Sequence, residues 1–224
     1  ASHVHRLNGD PMLKRLAFLA ALALVGSSLL APLNAQAPSG THGQDRTIVV
    51  DRNHTLIGFK AATFLFGVPG RFEKFTVDLK GNPDAADGAS VKVSIDTASI
   101  NTAIKSRDEH LRSADFLDVA KHPRITFTSS KIWHEGGKLM ATGMLDLHGV
   151  KKEIVLAFEE AKGKNGAGND SWSYAATLPL NRKEFGVGAD SVAAKISRKD
   201  TVELNLLLVV YAEDASPEPI QLKK

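Results

Sequence analysis

This sequence predicts an all-β fold with one helical insert, and three observations predict it. Apolar and polar residues alternate with period two in segment after segment between residues 47 and 211. Gly-, Pro- and Asn-rich turn signals separate those segments at short spacing. Only residues 96–129 depart from the pattern. The count comes to about eight to nine strands of about 5–10 residues, as in an antiparallel sandwich or barrel. Closure of the sheet removes its exposed edges. A closed barrel of about eight strands has an interior either filled by side chains or holding one small ligand.

The N-terminal residues read as an address, not as fold. Lys14 and Arg15 form a short basic region, residues 16–31 are apolar, and Ala35-Gln36-Ala37 is a small-x-small site. Together they read as a secretory signal peptide cut after Ala37. Ser27, Ser28 and Pro32 interrupt the apolar run, which falls short of the ~20 residues a bilayer-spanning helix needs. Residues 1–11 are set aside, residues 38–46 are a polar linker, the barrel is expected over 47–212, and 213–224 form a tail with Pro217 and Pro219. Arg6, Lys14, Arg15 and Asp10 leave with the leader, so residues 38–224 hold 25 basic and 24 acidic residues, a net charge of +1. That balance gives no general electrostatic reason to bind nucleic acid. With no cysteine among 224 residues, disulfides, zinc-thiolate sites and a Cys nucleophile are excluded, and stability rests on a core drawn from 43% apolar residues.

Along the chain, strands are expected at 47–50 and 54–62, with Ile57, Phe59 and Ala61 on one face. Residues 64–70 read as a turn rich in aromatics, and 71–80 as one strand with Phe75, Val77 and Leu79 inward. After a polar loop at 81–88 comes a strand carrying Val91, Val93 and Ile95. In the insert, Ser106 and Glu109 have the spacing of a capping box, and Asp108 and Glu109 suit the first turn of a helix dipole. A second short turn around 115–121 must stop by His122, because Pro123 pushes the residue before it out of helical geometry. A loop of this length is uncommon in a compact domain unless it acts, for instance as a lid. Further strands are expected at 124–129, 130–135, 138–147, 151–160, 172–178 and 201–211. Gly136-Gly137 and 148–150 turn the chain, 162–170 and 181–187 are loops, and 189–200 extends the last connection. The unbroken apolar run 206–210 reads as a strand covered on both faces.

No motif demands an active site. Six histidines (His42, His54, His110, His122, His134 and His148) follow Ala37, none paired at the i, i+4 spacing of a helical zinc site. His110 with Asp108 or Glu109 would diverge on a helix, and an Asp51–His54 pair reads as structural. No nucleophile elbow, phosphate-binding loop or dinucleotide fingerprint occurs, and Gly186-Val187-Gly188 does not follow a strand into a helix. The ten phenylalanines are more informative: they either fill the core or, in part, line an apolar tunnel.

Seven segments carry a family resemblance: Asp51-x-x-His54-Thr55, Gly70-Arg71-Phe72, Ser99-Ile100-Asn101-Thr102, Arg107-Asp108-x-His110-Leu111-Arg112-Ser113-x-Asp115-Phe116, His122-Pro123-x-Ile125-Thr126-Phe127, Gly143-x-Leu145-x-Leu147-His148-Gly149-Val150 and Arg182-x-x-Phe185-Gly186. In that order, they resemble the YceI-like family of bacterial periplasmic polyisoprenoid-binding proteins. The resemblance implies an extended eight-stranded antiparallel lipocalin-like barrel whose tunnel holds a quinone, a prenyl phosphate or another long-chain lipid. It implies a binding protein, not an enzyme, with the lipid as ligand and no further cofactor or metal. Many members carry a histidine in the hairpin before Gly-Arg-Phe, where this chain reads Ala61-Ala62-Thr63-Phe64-Leu65-Phe66, so a less polar head group is expected. Phe59, Phe75, Phe127, Leu145 and Phe158 are the expected tunnel wall, and Phe64, Phe66 and Phe116 its mouth. Arg107 and Arg112 either meet a phosphate or stay solvated. A lipid-acting hydrolase or isomerase in the same cavity, and a stress-related structural protein with a filled barrel, are the alternatives. Transient contact with a membrane or membrane proteins fits a carrier, and a dimer is compatible with the sequence.

Overall fold

The computed structural model describes residues 47–63, 65–189, 191 and 197–213. The expectations for the signal peptide, the linker, Phe64, and all of the tail beyond Glu213 lie outside the described residues.

Among the described residues, eleven strands form one antiparallel sheet: β1 (Thr47–Val50), β2 (Leu56–Thr63), β3 (Gly67–Phe72), β4 (Phe75–Lys80), β5 (Ser90–Asp96), β6 (Ile100–Asn101), β7 (Arg124–Glu135), β8 (Lys138–Leu147), β9 (Val150–Lys164), β10 (Asp170–Asn181) and β11 (Ser197–Glu213). The order is β4-β5-β7-β8-β9-β10-β11-β2-β3-β6, with β1 added beside β11. The two ends of that order are halves of the same strands. β3 runs into β4 through a bend at Glu73 and Lys74, and β5 runs into β6 through a 3-10 turn, Thr97–Ser99. Across the bend, Glu73 N donates to Ser99 O at 3.1 Å and Asp96 N to Lys74 O at 2.8 Å. Counted as two bent strands, these four segments close an eight-stranded barrel, and β1 continues the position of β2 along β11, on the side opposite β10.

Alternation places the core as expected. Ile154, Leu156 and Phe158 on β9 turn inward between exposed Glu153, Val155, Ala157 and Glu159. Several boundaries move. The aromatic turn shrinks, because Gly67, Val68 and Pro69 already belong to β3, where Pro69 opposes Lys60. Pro69 has no N–H to give a ladder, but β6 pairs with β3 only at Arg71 and Phe72, so the proline sits where no second partner needs that donor. The 162–170 loop contracts to residues 165–169, because β9 and β10 keep pairing as far as Lys164 and Asp170. On β11 the run 206–210 is half-buried until Val210, so its outer face is only partly covered.

The insert holds the only α-helix among the described residues, α1 (Lys105–Arg112). It begins one residue before Ser106, and no side chain caps it, so the expected capping box does not form. Asp108 reaches back instead, accepting hydrogen bonds from Thr102 N at 2.9 Å and from the Thr102 hydroxyl. The expected second helical turn is a run of hydrogen-bonded turns, with Leu117 N donating to Leu111 O and His122 N to Asp118 O, and it ends before Pro123.

Candidate ligand cavity

The barrel holds a cavity of about 440 Å³. Ten of the strands contribute to its wall, through positions that include Phe59, Val93, Phe127, Leu145, Leu156 and Leu206. Two glycines make room for the rings. A Cβ at Gly70 would lie 2.7 Å from Cε1 of Phe59, and one at Gly143 would lie 2.7 Å from Cζ of Phe127. Each ring therefore reaches over a strand at a position that offers it no side chain.

Polar wall residues are confined to the two ends. At the insert end stand Arg107, His110 and Arg182, with Leu111, Phe116 and Leu117 between them. Arg107 donates from Nε to Thr102 Oγ1 at 2.8 Å and from Nη2 to Thr102 O at 2.7 Å. Arg182, 7% exposed, donates to Val187 O at 2.8 Å, Gly188 O at 3.1 Å and Asp200 Oδ1 at 2.9 Å. These guanidiniums satisfy backbone carbonyls that the irregular chain leaves without ladder partners, which is their first role here. His110 packs edge-on to Phe116, ring centroids 5.1 Å apart, with Nε2 3.4 Å from an Asp115 carboxylate oxygen. Arg112 does not reach the cavity; it clasps Ala98 O and Ile100 O, both at 2.7 Å.

At the opposite end the wall is made by Asn82, Pro83, Ala85, Ala86 and Ala89 of the loop 81–89, with His134, Leu139 and Tyr174 facing them. His134 Nε2 lies 2.9 Å from Glu160 Oε2. Burial, aided by the charges of Glu160 and Asp84, pushes the Tyr174 phenol up to about 12, so its hydroxyl stays protonated and donates to Pro83 O at 3.2 Å. Lys162 first, and Trp172 second, hold the Asp84 carboxyl below its ordinary range through hydrogen bonds.

Of the eight residues expected to meet a ligand, Phe59, Phe116, Phe127, Leu145 and Phe158 line the cavity. Phe75 is buried in the same core, but its ring lies off the cavity wall with the Arg52 guanidinium 5.0 Å above it. Phe66 stands away from the cavity and is 61% exposed at the β2–β3 turn, beside Leu65 at 81%. A residue at the tip of a two-stranded hairpin has nothing above it to bury against, and strand alternation carries no information about that. Sequence reasoning passed over the aliphatic wall, including Val93, Ile95, Leu156 and Leu206. For Val93, Ile95 and Leu156 the signal is their place on the inward face of an alternating strand, whereas Leu206 lies in an unbroken apolar run that does not single out a face. No group of three or more His, Cys, Asp or Glu side chains suited to a metal occurs among the described residues.

Comparison with known proteins matches residues 49–210 to the YceI-like domain. A UPF0312 protein of Shewanella baltica is 33% identical over 195 residues, covering 83% of this chain and 94% of that protein. A UPF0312 protein of Vibrio cholerae is 33% identical over 173 residues, covering 74% and 89%. The crystal structure of Burkholderia cenocepacia BcnA superposes with a TM-score of 0.64 at 26% identity, covering 72% of this chain and 99% of that one. A polyisoprenoid binding domain from Saccharophagus degradans, implicated in plant cell wall breakdown, shares the fold at a TM-score of 0.56 and 18% identity, covering 75% and 99%.

Proposed function

Since the chain belongs to the YceI-like family, we propose that it is a non-catalytic carrier for an isoprenoid, such as a quinone or prenyl phosphate, or a similar long-chain lipid held in the barrel. The observation that carries this reading is the wall itself, aliphatic and aromatic through its middle and polar only at its ends. Such a wall offers a chain burial at about 0.8 kcal/mol per CH₂ and offers a reacting group nothing along most of its length. A structural protein with a filled barrel would have no use for about 440 Å³ of internal space. The description of the Saccharophagus degradans domain as polyisoprenoid-binding is consistent with this cargo class. The cavity falls in the lower half of the range of about 300–1,000 Å³ usual for small-molecule sites. A short chain fills it, and a long polyprenyl chain would emerge from one end.

The periplasm is the proposed site of action, on the strength of the leader pattern at residues 12–37. Native mass spectrometry of protein isolated from that compartment tests both parts. The expected species begins at Pro38 and carries a co-purified lipid, or takes up added prenyl lipid. Protein that retains residues 12–37 would refute the address. Protein that arrives empty and ignores prenyl alcohols, quinones and prenyl phosphates would refute the cargo.

A further inference from the structure

We propose that the loop 81–89 is the door of the cavity, hinged at Gly81 and Gly88 and held shut by a clasp of Asp84 and Pro83 on Lys162, Trp172 and Tyr174. The ligand-passage part of this proposal rests on the carrier reading above; the door itself does not. Both hinge glycines have left-handed backbone, φ +109° and +75°, which side-chain-bearing residues rarely adopt. Between them the chain is stiffened locally: Ala85 N donates to Asn82 O at 2.9 Å, and Asp84 N to Asn82 Oδ1 at 2.9 Å. The loop therefore has the construction of a small rigid plate between two pivots.

Little holds that plate to the far wall. Asp84 Oδ1 accepts from Lys162 Nζ at 2.7 Å and from Trp172 Nε1 at 2.9 Å, and Pro83 O accepts from the Tyr174 hydroxyl at 3.2 Å. Lys162 also lies over the Trp172 ring, 5.0 Å from its centroid. The loop's own apolar side chains are only Pro83, Ala85, Ala86 and Ala89. It covers the cavity without anchoring a large side chain in it, so the loop itself gives up only a proline and three alanines on opening, against the Trp172 and Tyr174 side chains to which it is tied. The insert end is built differently. There Leu117, Phe185 and Val187 are buried in the main core, and Arg182 is tied to two backbone carbonyls and an aspartate. Opening that end would break the core. A segment with few buried apolar contacts and a handful of polar ties is where local opening is expected.

The chain has no cysteine, so Leu139→Cys places a single thiol on the cavity wall near this loop. Its rate of reaction with a small aromatic disulfide reagent reads the door directly, with no ligand present. Asp84→Ala should raise that rate about tenfold, with little change in the global unfolding midpoint. Lys162→Met, which leaves Trp172 and Tyr174 in place, should raise it less and serves if Asp84→Ala folds poorly. The same variants should speed release of preloaded N-phenyl-1-naphthylamine. Unchanged labelling in both variants overturns the door, and faster labelling with unchanged release overturns its use by ligands. If the unsubstituted protein takes up no probe, the cargo reading falls while the labelling rates still decide the door.

Discussion

Phenylalanine rings in this barrel take the space that glycines leave. Phe59 lies over Gly70, Phe127 over Gly143, and a Cβ at Gly188 would come within 3.0 Å of the Phe116 ring. Gly143 is the least yielding case, since a Cβ there would also press on Thr128 O and lie 2.8 Å from Ser129 Cα. Backbone cannot yield as a side chain can. Gly143→Ala should therefore cost about 1–3 kcal/mol, read as a lowered urea midpoint at unchanged slope. Asp84 supplies a second prediction at this scale. Its carboxyl is faced by Lys162 and Trp172, which lower its pKa, and by Asp170, which opposes them. A carboxyl depressed in the folded state stabilises at neutral pH and loses that contribution as pH falls through the folded value. The indole N–H resonance of Trp172 should hold steady from pH 8 to about pH 5 and shift only in acid, below the ordinary aspartate value of about 3.9. A midpoint near neutrality would show that some other group controls the contact.

At the scale of elements, the insert was legible as an element and misread in its mechanics. The sequence marks helix-forming residues near Ser106 and a stop at Pro123, and both are found. The capping box is absent because the helix starts at Lys105, which puts Ser106 inside the first turn, and the helix start is tied instead by Asp108, 6% exposed, to Thr102, whose hydroxyl and carbonyl Arg107 also holds. This is a contact between the end of β6 and α1, and spacing within the helix alone does not disclose it. Asp108→Ala should leave the buried Thr102 amide and hydroxyl without their acceptor, at a cost of about 1–3 kcal/mol. Hydrogen exchange should speed across residues 100–112 more than in β8. Uniform loss of protection would mean that the insert and barrel unfold as one unit. Strand positions were legible wherever one face is wet, as in β9. The bend at Glu73 and Lys74 was not, because Phe72 and Phe75 flank it within a run that reads as a single strand.

For the whole molecule, closure was legible in kind and not in detail. Alternation with short turns argues for a closed sheet. That β3–β4 and β5–β6 each bend to complete it follows only from the pairing across Ser99 and Asp96. The site was legible at the scale of faces: Phe127, Leu145 and Phe158 are inward positions, and inward positions are the wall. Residues at hairpin tips were beyond that logic, as Phe66 shows. An apolar bore has a measurable consequence. Competition with a bound fluorescent probe along a series of linear alcohols should show affinity rising about fourfold per CH₂, from about 0.8 kcal/mol each, until the chain fills the cavity. Beyond that length the slope should fall toward zero. An absent slope would mean that the chains bind on the outer surface.

The rings lying across Gly70 and Gly143 have a consequence for how cargo size is inherited. Where Phe59 and Phe127 can lie is decided by two positions that have no side chain to present. Exchanging a glycine there would lift a ring into the bore and shorten it without altering the chemistry of any wall residue. The length gauge of the container is thus partly encoded in residues that the cargo never meets.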